Sequence, residues 1–246
     1  MKIGFIGLGV VGGALYKWME KNTSHQLLRR DPAKGYEDEL MTCHAVFIAI
    51  PVLHNKTGQD ISELKQVVKY AKQCSNHVFI RSSVLPGTSD ELGCYAMPEF
   101  LTERIADSEM DRLPIIVGDA DKTFVESIFE GKKKIIAMKN KEAEMSKYAH
   151  NCMGAVKVTY CNVIKELCEK ENLDYERVKE GFLMTGFVNE THTQVPGPDK
   201  KYGYGGSCFP TNIKAFKRYI ANLKIVDSAY FLNSVQELND RFRRKL

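Results

Sequence analysis

Residues 2–13 read KIGFIGLGVVGG, a short apolar run that leads directly into closely spaced glycines. The apolar run predicts a strand over residues 2–6, and the pattern that follows predicts a helix over residues 11–21. The glycines have the GxGxxG spacing, in which the first allows a tight turn, the second lets the backbone approach a pyrophosphate and the third lets helix and strand pack closely. The segment therefore predicts a dinucleotide-binding turn, with a purely structural turn as the alternative. The predicted cofactor-binding residues of this turn are Gly7, Leu8, Gly9, Val10, Val11 and Gly12.

Asp31 stands at the end of the second predicted strand, residues 25–30. A carboxylate at this point of a βαβ unit accepts hydrogen bonds from the ribose hydroxyls and repels a 2′-phosphate, which favours NAD. Arg29 and Arg30 precede it, and an arginine there could instead hold the 2′-phosphate of NADP. Alternation along the strand sends Arg30 to the face opposite Asp31, so we expect NAD. A turn or capping residue before Pro32 is the structural alternative for Asp31.

Strand and helix patterns alternate through the first half of the chain. This alternation predicts parallel βαβ units, and thus an α/β fold with a Rossmann-type doubly wound sheet. The further predicted strands are residues 45–50, 78–81, 114–117 and 134–138, and the further predicted helices are residues 61–74 and 122–129.

The pattern changes after residue 140. Residues 142–172 contain no proline and a single glycine, which predicts one long helix, and a second helix is predicted over residues 175–184. Residues 195–206 read VPGPDKKYGYGG, a loop by composition, and helix is predicted again from about Pro210 toward the C-terminus.

The two patterns predict a NAD-binding Rossmann domain over residues 1–139 and a helical central unit over residues 140–246. The helical unit is too short to cover its own apolar positions, so we expect a homodimer in which a symmetric partner buries them. The apolar positions in question are Met153, Val156, Val163, Ile164 and Leu167.

Composition excludes several classes of protein. Hydrophobic residues make up 43% and charged residues 27%, which is typical of a globular protein. The net charge of +4, from 35 basic and 31 acidic residues, is too small and too mixed to indicate a nucleic-acid partner. No apolar run approaches the ~20 residues of a membrane span, and no leader pattern precedes the first strand, so we expect a cytoplasmic protein without a membrane partner. The seven cysteines are scattered without a CxxC pair, which predicts thiols, no disulfide framework and no metal site.

One cysteine lies in a different setting from the others. Residues 203–210 read GYGGSCFP, in which the glycines leave the backbone open to a flat polar ligand. Pro210 suits the first position of a helix, so Cys208 is expected just ahead of a helix N-terminus, where an anionic thiolate is stabilised. Cys208 is therefore the predicted nucleophile, and the other cysteines fall in strand or helix patterns typical of buried residues.

The GYGGSCFP loop resembles the GFGGSCFPKD-like segment of the UDP-glucose/GDP-mannose dehydrogenase family. Four further segments resemble the family's motifs in the same order along the chain, so the resemblance covers nearly all of it. They are residues 81–88 (RSSVLPGT, like KSTVPPGT), 97–103 (MPEFLTE, like PEFLREG), 142–151 (EAEMSKYAHN, like the AELxKxxxN helix) and 195–199 (VPGPD, like the lead-in to the substrate loop).

The resemblance implies a four-electron oxidation of a primary alcohol on a nucleotide sugar, with NAD as the hydride acceptor. It implies that Cys208 traps the aldehyde as a thiohemiacetal, which is oxidised to a thioester and hydrolysed. Lys147 would stabilise the oxyanion and Asn151 would position it or a water molecule. These two residues are one helical turn apart and share a face, although a solvated pair on an exposed helix is the alternative.

The remaining site residues also follow from the resemblance. Glu99 matches a glutamate implicated in acid–base or hydrolytic steps, although a simple strand-end carboxylate after Pro98 is the alternative. Ser83 keeps the hydroxyl of the family's threonine near the nicotinamide and the catalytic water. Further expected cofactor contacts are Lys34, Pro51, Ser82, Ser83 and Glu103, and expected substrate contacts are Glu99, Phe100, Leu101, Lys147, Asn151, Tyr202, Gly203 and Gly206.

Three departures from the family pattern affect the interpretation. Thr211 and Asn212 stand where the family has Lys-Asp, and an amide at the catalytic position 212 cannot accept a proton at neutral pH. Residues 50–53 read IPVL in place of VPTP and lose a hydroxyl near the cofactor. Family members continue into a second Rossmann-like domain that holds the substrate's nucleotide, so we expect a truncated form, with a separate chain as one source of that domain.

Two other functions remain open at this point. A β-hydroxyacid dehydrogenase has a similar GLGxxG turn and KxxxN helix, but its reaction stops at the carbonyl and needs no cysteine. A NAD-binding relative without catalytic activity is favoured by Asn212 and by the expected truncation. Cys208, Lys147, Asn151 and Glu99 all favour an enzyme.

Overall fold

Residues 1–55 and 58–245 are described by a computed structural model of the chain. The chain divides into two units, Met1–Lys147 and Tyr148–Leu246. The division falls inside a 32-residue helix, Asn140–Glu171, which begins at the predicted boundary.

The first unit contains the strands and the helices that cross between them. Its strands are β1 (Lys2–Ile6), β2 (Gln26–Asp31), β3 (Tyr36–Glu37), β4 (Ala45–Ile48), β5 (Leu53–Asn55), β6 (Gly58–Asp60), β7 (Val78–Ile80), β8 (Tyr95–Ala96), β9 (Ile115–Gly118) and β10 (Ile135–Met138). Its helices are α1 (Val10–Asn22), α2 (Ser62–Cys74), α3 (Thr88–Leu92), α4 (Ala106–Arg112), α5 (Lys122–Ile128) and the start of α6 (Asn140–Glu171), with 3-10 turns at Pro32–Lys34 and Glu103–Ile105.

The main sheet has the order β3-β2-β1-β4-β7-β8, and all its pairs are parallel except that of the edge strand β3. Helices cover both faces. On one face Phe5, Phe47 and Phe79 stack across β1, β4 and β7 with ring centroids 5.6 and 5.2 Å apart. On the other face Val46 and Ile48 pack with residues of α2. The predicted doubly wound α/β fold is therefore confirmed. The pairs β9–β10 (parallel) and β5–β6 (antiparallel) form two small separate sheets.

Two glycines bring α1 close to the sheet. Gly7 has φ +84°, and a Cβ built on it would lie 2.5 Å from the carbonyl oxygen of Ala49. A Cβ on Gly12 would lie 2.0 Å from the carbonyl oxygen of Gly7, far inside van der Waals contact. Both positions therefore require glycine for packing alone, and the helix starts directly against the end of β1.

The second unit is helical. After the C-terminal part of α6 come α7 (Tyr175–Leu183), α8 (Cys208–Asn222) and α9 (Val226–Phe242). Helix resumes near Pro210 as predicted, but it does not run unbroken toward the C-terminus. Helix α8 starts at Cys208, and α8 and α9 are separated at residues 223–225, where Lys224 has φ +60°. A buried cluster that includes Cys152, Ile213, Leu232 and Val235 joins α6, α8 and α9.

No helix among residues 1–55 and 58–245 is both long enough and apolar enough to cross a lipid bilayer.

Candidate active site

The glycine turn is held open by two side chains from the end of β2 and the turn after it. The amide of Leu8 donates to Asp31 Oδ2 at 2.8 Å, and Lys34 Nζ donates to the carbonyl oxygen of Leu8 at 2.5 Å. No side chain caps the N-terminus of α1, so its first N–H groups remain available to an anion. A Cβ on Gly9 would meet no atom within 4 Å.

A cleft of about 640 Å³ lies over this turn. Five of the predicted cofactor residues line it: Leu8, Gly9, Val10, Lys34 and Glu103. The combination of uncapped N–H groups, bare backbone at Gly9 and an adjacent carboxylate at Asp31 fits a dinucleotide.

Aromatic rings hold the two arginines that precede Asp31. The Arg29 guanidinium lies 4.3 Å from the centroid of the Tyr36 ring and 5.5 Å from that of Tyr16. The Arg30 guanidinium lies 4.8 Å from the centroid of Tyr70. Both cations are therefore engaged with π-systems, whereas Asp31 is hydrogen-bonded to the glycine turn.

Three hydrogen bonds, made by two side chains, position the segment after β7. Ser82 Oγ donates to the carbonyl oxygen of Ile50, the residue before Pro51, at 2.7 Å. Gln59 Nε2 donates to the carbonyl oxygen of Ser83 at 2.8 Å, and Gln59 Oε1 accepts from the amide of Leu85 at 2.9 Å. Sequence reasoning missed Gln59, because its hairpin β5–β6 consists of strands too short to show a periodic pattern.

Glu99 and Lys147, both predicted catalytic residues, form a buried ion pair. Lys147 Nζ donates to Glu99 Oε1 at 2.8 Å, and the amide of Leu101 donates to Glu99 Oε2 at 2.6 Å. The side chains are only 5% and 8% exposed, and Nζ lies 5.6 Å from the centroid of the Phe100 ring. The Glu99 carboxylate also accepts a hydrogen bond from the backbone, so it neutralises the positive charge of Lys147 only in part. Such a cation can stabilise an additional negative charge.

Arg81 places a second cation near this pair. Its side chain is buried, Nε has no partner among the described residues, and one terminal nitrogen donates to the carbonyl oxygen of Met97 at 3.4 Å. Burial lowers the pKa of Arg81 to about 10, although attraction by Glu99 acts in the opposite direction. Its family-like position before Ser82 gave no indication of this burial.

Two buried polar side chains of α6 hold the loops on which Glu99 depends. Glu144 accepts hydrogen bonds from the amides of Gly87 and Ser89 at 2.5 and 2.7 Å, and burial raises the pKa of this carboxyl group. Asn140 accepts from the amide of Ala96 at 2.7 Å and donates to the carbonyl oxygen of Cys94 at 2.9 Å. Sequence reasoning missed both, because polar residues near the start of a helix usually face solvent.

Cys208 is the first residue of α8, not a residue ahead of it as predicted. All seven cysteines lie in the part of the chain that the structure describes, and all are free thiols. Cys208 is exposed and the other six are buried. Burial raises the pKa of Cys43 and Cys94 to about 11 and that of Cys152 to about 12. Cys208 is therefore the cysteine accessible to a reactant, and the first turn of a helix is a favourable place for an anion.

The residue after Cys208 fixes the start of α8. A Cβ on Gly154 would lie 2.6 Å from Cζ of the Phe209 ring, so α6 accepts this ring only because residue 154 lacks a side chain. The Phe209 ring also lies 5.1 Å from the His192 ring in an edge-on arrangement.

Asn151 and Asn212 contact each other in the second unit. Asn151 Nδ2 donates to Asn212 Oδ1 at 3.2 Å, and both side chains are buried. His150 Nδ1 lies 3.1 Å from Asn151 Oδ1. Sequence reasoning assigned no role to His150, and no spacing pattern distinguishes it.

Buried asparagines anchor the glycine-rich loop before Cys208. Asn162 Oδ1 accepts from the amide of Gly203 at 2.9 Å, and Asn239 Oδ1 accepts from the amide of Tyr204 at 2.6 Å. A Cβ on Gly203 would lie 2.5 Å from Asn239 Oδ1, whereas a Cβ on Gly206 would meet nothing within 4 Å. Of the predicted substrate-binding glycines, Gly203 is thus required for packing, and Gly206 faces open space.

The other predicted substrate residue of this loop is held by α6. Tyr202 donates its hydroxyl to Glu169 Oε1 at 2.9 Å, and this bond raises the pKa of the tyrosine. The predicted catalytic residues therefore lie in two groups: Ser83, Glu99 and Lys147 in the first unit, and Asn151, Cys208 and Asn212 in the second.

The buried ion pair makes a direct prediction for stability. Lys147→Met removes the cation that donates to the buried Glu99 and leaves only the more distant attraction of Arg81, so we expect the free energy of unfolding to fall by about 3 kcal/mol. Lys65→Met is the matched control, because Lys65 forms a 2.8 Å ion pair with Glu91 in which both side chains are more than half exposed. That change is expected to cost less than about 1 kcal/mol in urea unfolding. Equal losses for the two variants would contradict the assignment of Lys147 to a buried pair.

Part of the chain matches a known family model. The model described as UDP-glucose/GDP-mannose dehydrogenase family, central domain, matches residues 141–241. The UDP-glucose 6-dehydrogenase YwqF of Bacillus subtilis is 28% identical over 237 residues, which cover 85% of this chain and 51% of the relative. The chain spans about half the length of the curated relatives it matches.

Solved structures have the same fold. A UDP-glucose dehydrogenase from the archaeon Pyrobaculum islandicum matches with a TM-score of 0.82 at 20% identity, over 98% of this chain and 68% of that one. A UDP-D-ManNAc dehydrogenase from Pyrococcus horikoshii matches with a TM-score of 0.80 at 16% identity, over 98% and 69%. The match of residues 141–241 to this family's central domain, the curated relatives and the common fold all agree with the five family-like motifs of the sequence.

Proposed function

We propose that this chain provides the cofactor-binding and cysteine-bearing parts of a NAD-dependent dehydrogenase that oxidises the primary alcohol of a nucleotide sugar to a carboxylate. The observation that carries the proposal is the setting of Cys208, an exposed thiol at the first residue of α8, directly after a glycine loop fixed by buried asparagines. A dehydrogenase that stops at the carbonyl has no use for such a thiol.

The residues of the glycine turn would hold the cofactor. The N–H groups of α1 and the bare backbone at Gly9 suit the pyrophosphate, and Asp31 suits the adenosine ribose. The engagement of Arg29 and Arg30 with tyrosine rings supports NAD over NADP. When bound, NAD supplies a hydride acceptor for each of the two oxidation steps.

The chain's own residues account for the steps between the hydride transfers. The Sγ of Cys208 adds to the aldehyde carbon, and the carbonyl oxygen takes up a proton to give a thiohemiacetal. Loss of hydride and a proton from the thiohemiacetal gives a thioester, and water then adds, its oxygen entering the carboxylate as the thiol leaves. We assign stabilisation of the oxyanion to Lys147, held by Glu99, and positioning of the reacting groups to Asn151. Overall, one alcohol, one water and two NAD would yield one carboxylate, two NADH and three protons.

Gly9 provides the test of the cofactor site. Gly9→Val is expected to abolish NAD binding with the fold intact, because a Cβ there meets no protein atom within 4 Å but would collide with a pyrophosphate. Gly12→Ala is the contrasting variant, whose Cβ would lie 2.0 Å from a backbone oxygen and which should lower the unfolding midpoint. Titration with NAD and NADP measures binding. Unchanged NAD affinity in Gly9→Val would refute this site, and tighter binding of NADP by the natural protein would assign cofactor choice to the arginines.

Stoichiometry tests the reaction itself. NADH is counted per mole of substrate over a panel of UDP- and GDP-sugars, with two expected for the natural protein. In Cys208→Ser the count is expected to fall to one or none, because serine is the weaker nucleophile toward an aldehyde and the poorer leaving group. Lys170→Ala, a change at an exposed position near the end of α6 that has no part in the proposed mechanism, is the control and should retain two. A Cys208→Ser variant that still yields two NADH removes this thiol from the mechanism.

A second candidate function follows from Asn212. An amide at this position cannot act as a base, which favours a relative that binds NAD without oxidising a sugar. The same panel distinguishes the two, because the second candidate binds NAD at the Gly9 site and forms no NADH with any sugar.

We further propose that the chain forms a homodimer through α6. Met153, Tyr160 and Leu167 recur every seven residues on this helix and are 66%, 61% and 54% exposed. Of the positions expected to need a partner, Val156 and Ile164 instead pack within their own unit. Burial of the exposed stripe against a second copy is the expected state. Light scattering at micromolar concentration should give twice the chain mass, and Tyr160→Glu should shift it toward the monomer. A monomeric natural protein would contradict the proposal.

A further inference from the structure

Three side chains of the second unit form a hydrogen-bonded row that ends at Asn212, four residues after Cys208 on α8. The row runs from His150 through Asn151 to Asn212, with distances of 3.1 Å and 3.2 Å between the paired atoms. Asn151 and Asn212 are 4% and 5% exposed. The Asn151–Asn212 contact is thus shielded from water, which strengthens a hydrogen bond, whereas His150 lies at the exposed end of the row.

Simple donor and acceptor rules give the row one direction. An amide oxygen only accepts and an amide nitrogen only donates, so His150 Nδ1 must carry the hydrogen that it shares with Asn151 Oδ1. Asn151 Nδ2 in turn donates to Asn212 Oδ1. Nδ1 carries a hydrogen in the cationic imidazole as well as in this neutral tautomer. The direction is therefore the same for the neutral and the cationic imidazole.

The direction decides what residue 212 offers to a ligand. Asn212 lies one turn beyond Cys208 on α8, so the two residues share a helix face. Its Oδ1 is used by Asn151, which leaves Nδ2 as the group for a reacting atom. A carboxylate at this position would present only lone pairs, and would repel a thiolate or an oxyanion. The amide presents N–H donors and attracts them.

We propose that His150 is a positioning residue which, through Asn151, holds the Asn212 amide with its N–H donors available to negative charge at Cys208. Position 212 then stabilises the thiolate instead of accepting a proton. Without the donor at position 150, the side-chain amide of Asn151 can flip, and the Asn212 amide flips with it. The Oδ1 of Asn212 then replaces its Nδ2 donors on the side toward the Cys208 sulfur. The inference rests on the proposed function only in taking Cys208 as the nucleophile.

The rate at which iodoacetamide alkylates Cys208 at neutral pH tests this arrangement. The reagent reacts with thiolate, and Cys208 is the exposed cysteine while the other six are buried, so the rate reads out this sulfur. Removing a hydrogen-bond donor from a thiolate lowers the fraction of the cysteine that is in the thiolate form by roughly tenfold. His150→Leu and Asn212→Asp are therefore each expected to slow alkylation by about that factor. His150→Asn is expected to restore the rate, because its amide nitrogen can take the place of Nδ1.

The double variant separates positioning from a general effect on the fold. In an Asn212→Asp background the carboxylate has two equivalent acceptor oxygens, so the direction of the row no longer matters. His150→Leu is then expected to have no further effect on the rate. His150 is exposed on α6, and thermal unfolding followed by circular dichroism checks that each variant is folded. Should His150→Leu fail to fold, the comparison of His150→Asn with His150→Gln, which lacks a donor at the Nδ1 position, gives the same test.

Several results would overturn the inference. Natural reactivity in His150→Leu would show that the row does not act on Cys208. A second such result is that His150→Asn reacts as slowly as His150→Leu, and a third is that His150→Leu slows alkylation equally with Asn and with Asp at position 212. Either of these would show that the donor at position 150 does not set the direction of the row. The alkylation assay contains neither NAD nor sugar, so its rates do not depend on whether the protein oxidises a sugar. A failure of the proposed oxidation is detected by the NADH count instead.

Discussion

Asn140, Glu144 and Lys147 lie on one face of α6, and each side chain is buried in a polar contact with a loop of the first unit. Buried polar groups are tolerated only when they are satisfied, so each of these contacts must be made for the fold to form. The loops held in this way run from Gly87 to Glu99. The position of the Glu99 carboxylate is therefore a consequence of the register of α6, and the ion pair with Lys147 is the last of a series of contacts made by one helix.

The second unit uses the same principle with amides. Asn162 on α6 and Asn239 on α9 hold the loop before Cys208, and Gly154 makes room for the Phe209 ring directly after it. The exposed Cys208 thiol thus follows a loop that buried side chains hold in place. Pre-organisation of this kind lets a nucleophile stay accessible without losing its orientation.

Sequence reasoning found what local patterns encode. The strand–glycine–helix unit and Asp31 were predictable because the strand, the glycine spacing and the start of the helix follow one another within a few residues, although the atom that excludes a side chain at Gly7 belongs to the distant Ala49. The long α6 was predictable from the absence of helix breakers. The hairpin β5–β6, the short α3 and α4 and the two-residue strand β8 were not, because segments of this length show no period. The interruption between α8 and α9 contains neither glycine nor proline and left no signal.

The polar anchors were missed for a different reason. Glu144, Asn162 and Gln59 look like surface residues in the sequence, since nothing local indicates that a distant backbone amide will reach them. Cys208 and its loop were identified from composition and family resemblance. The direction of the row from His150 to Asn212 depends on which amide atom faces which neighbour, and this is a property of three-dimensional arrangement alone.

The unbroken course of α6 limits how its length can vary. Each residue of a helix advances the chain by about 1.5 Å and turns it by about 100°. A single inserted or deleted residue between Lys147 and Asn151 would leave Lys147 beside Glu99 but rotate Asn151, Gly154 and Asn162 together to a different side of the helix. Substitutions on the exposed face of α6, in contrast, leave the angle between Lys147 and Asn151 around the helix axis unchanged. Among relatives, α6 is therefore expected to drift in composition at constant length, and insertions and deletions to accumulate in loops such as residues 184–207.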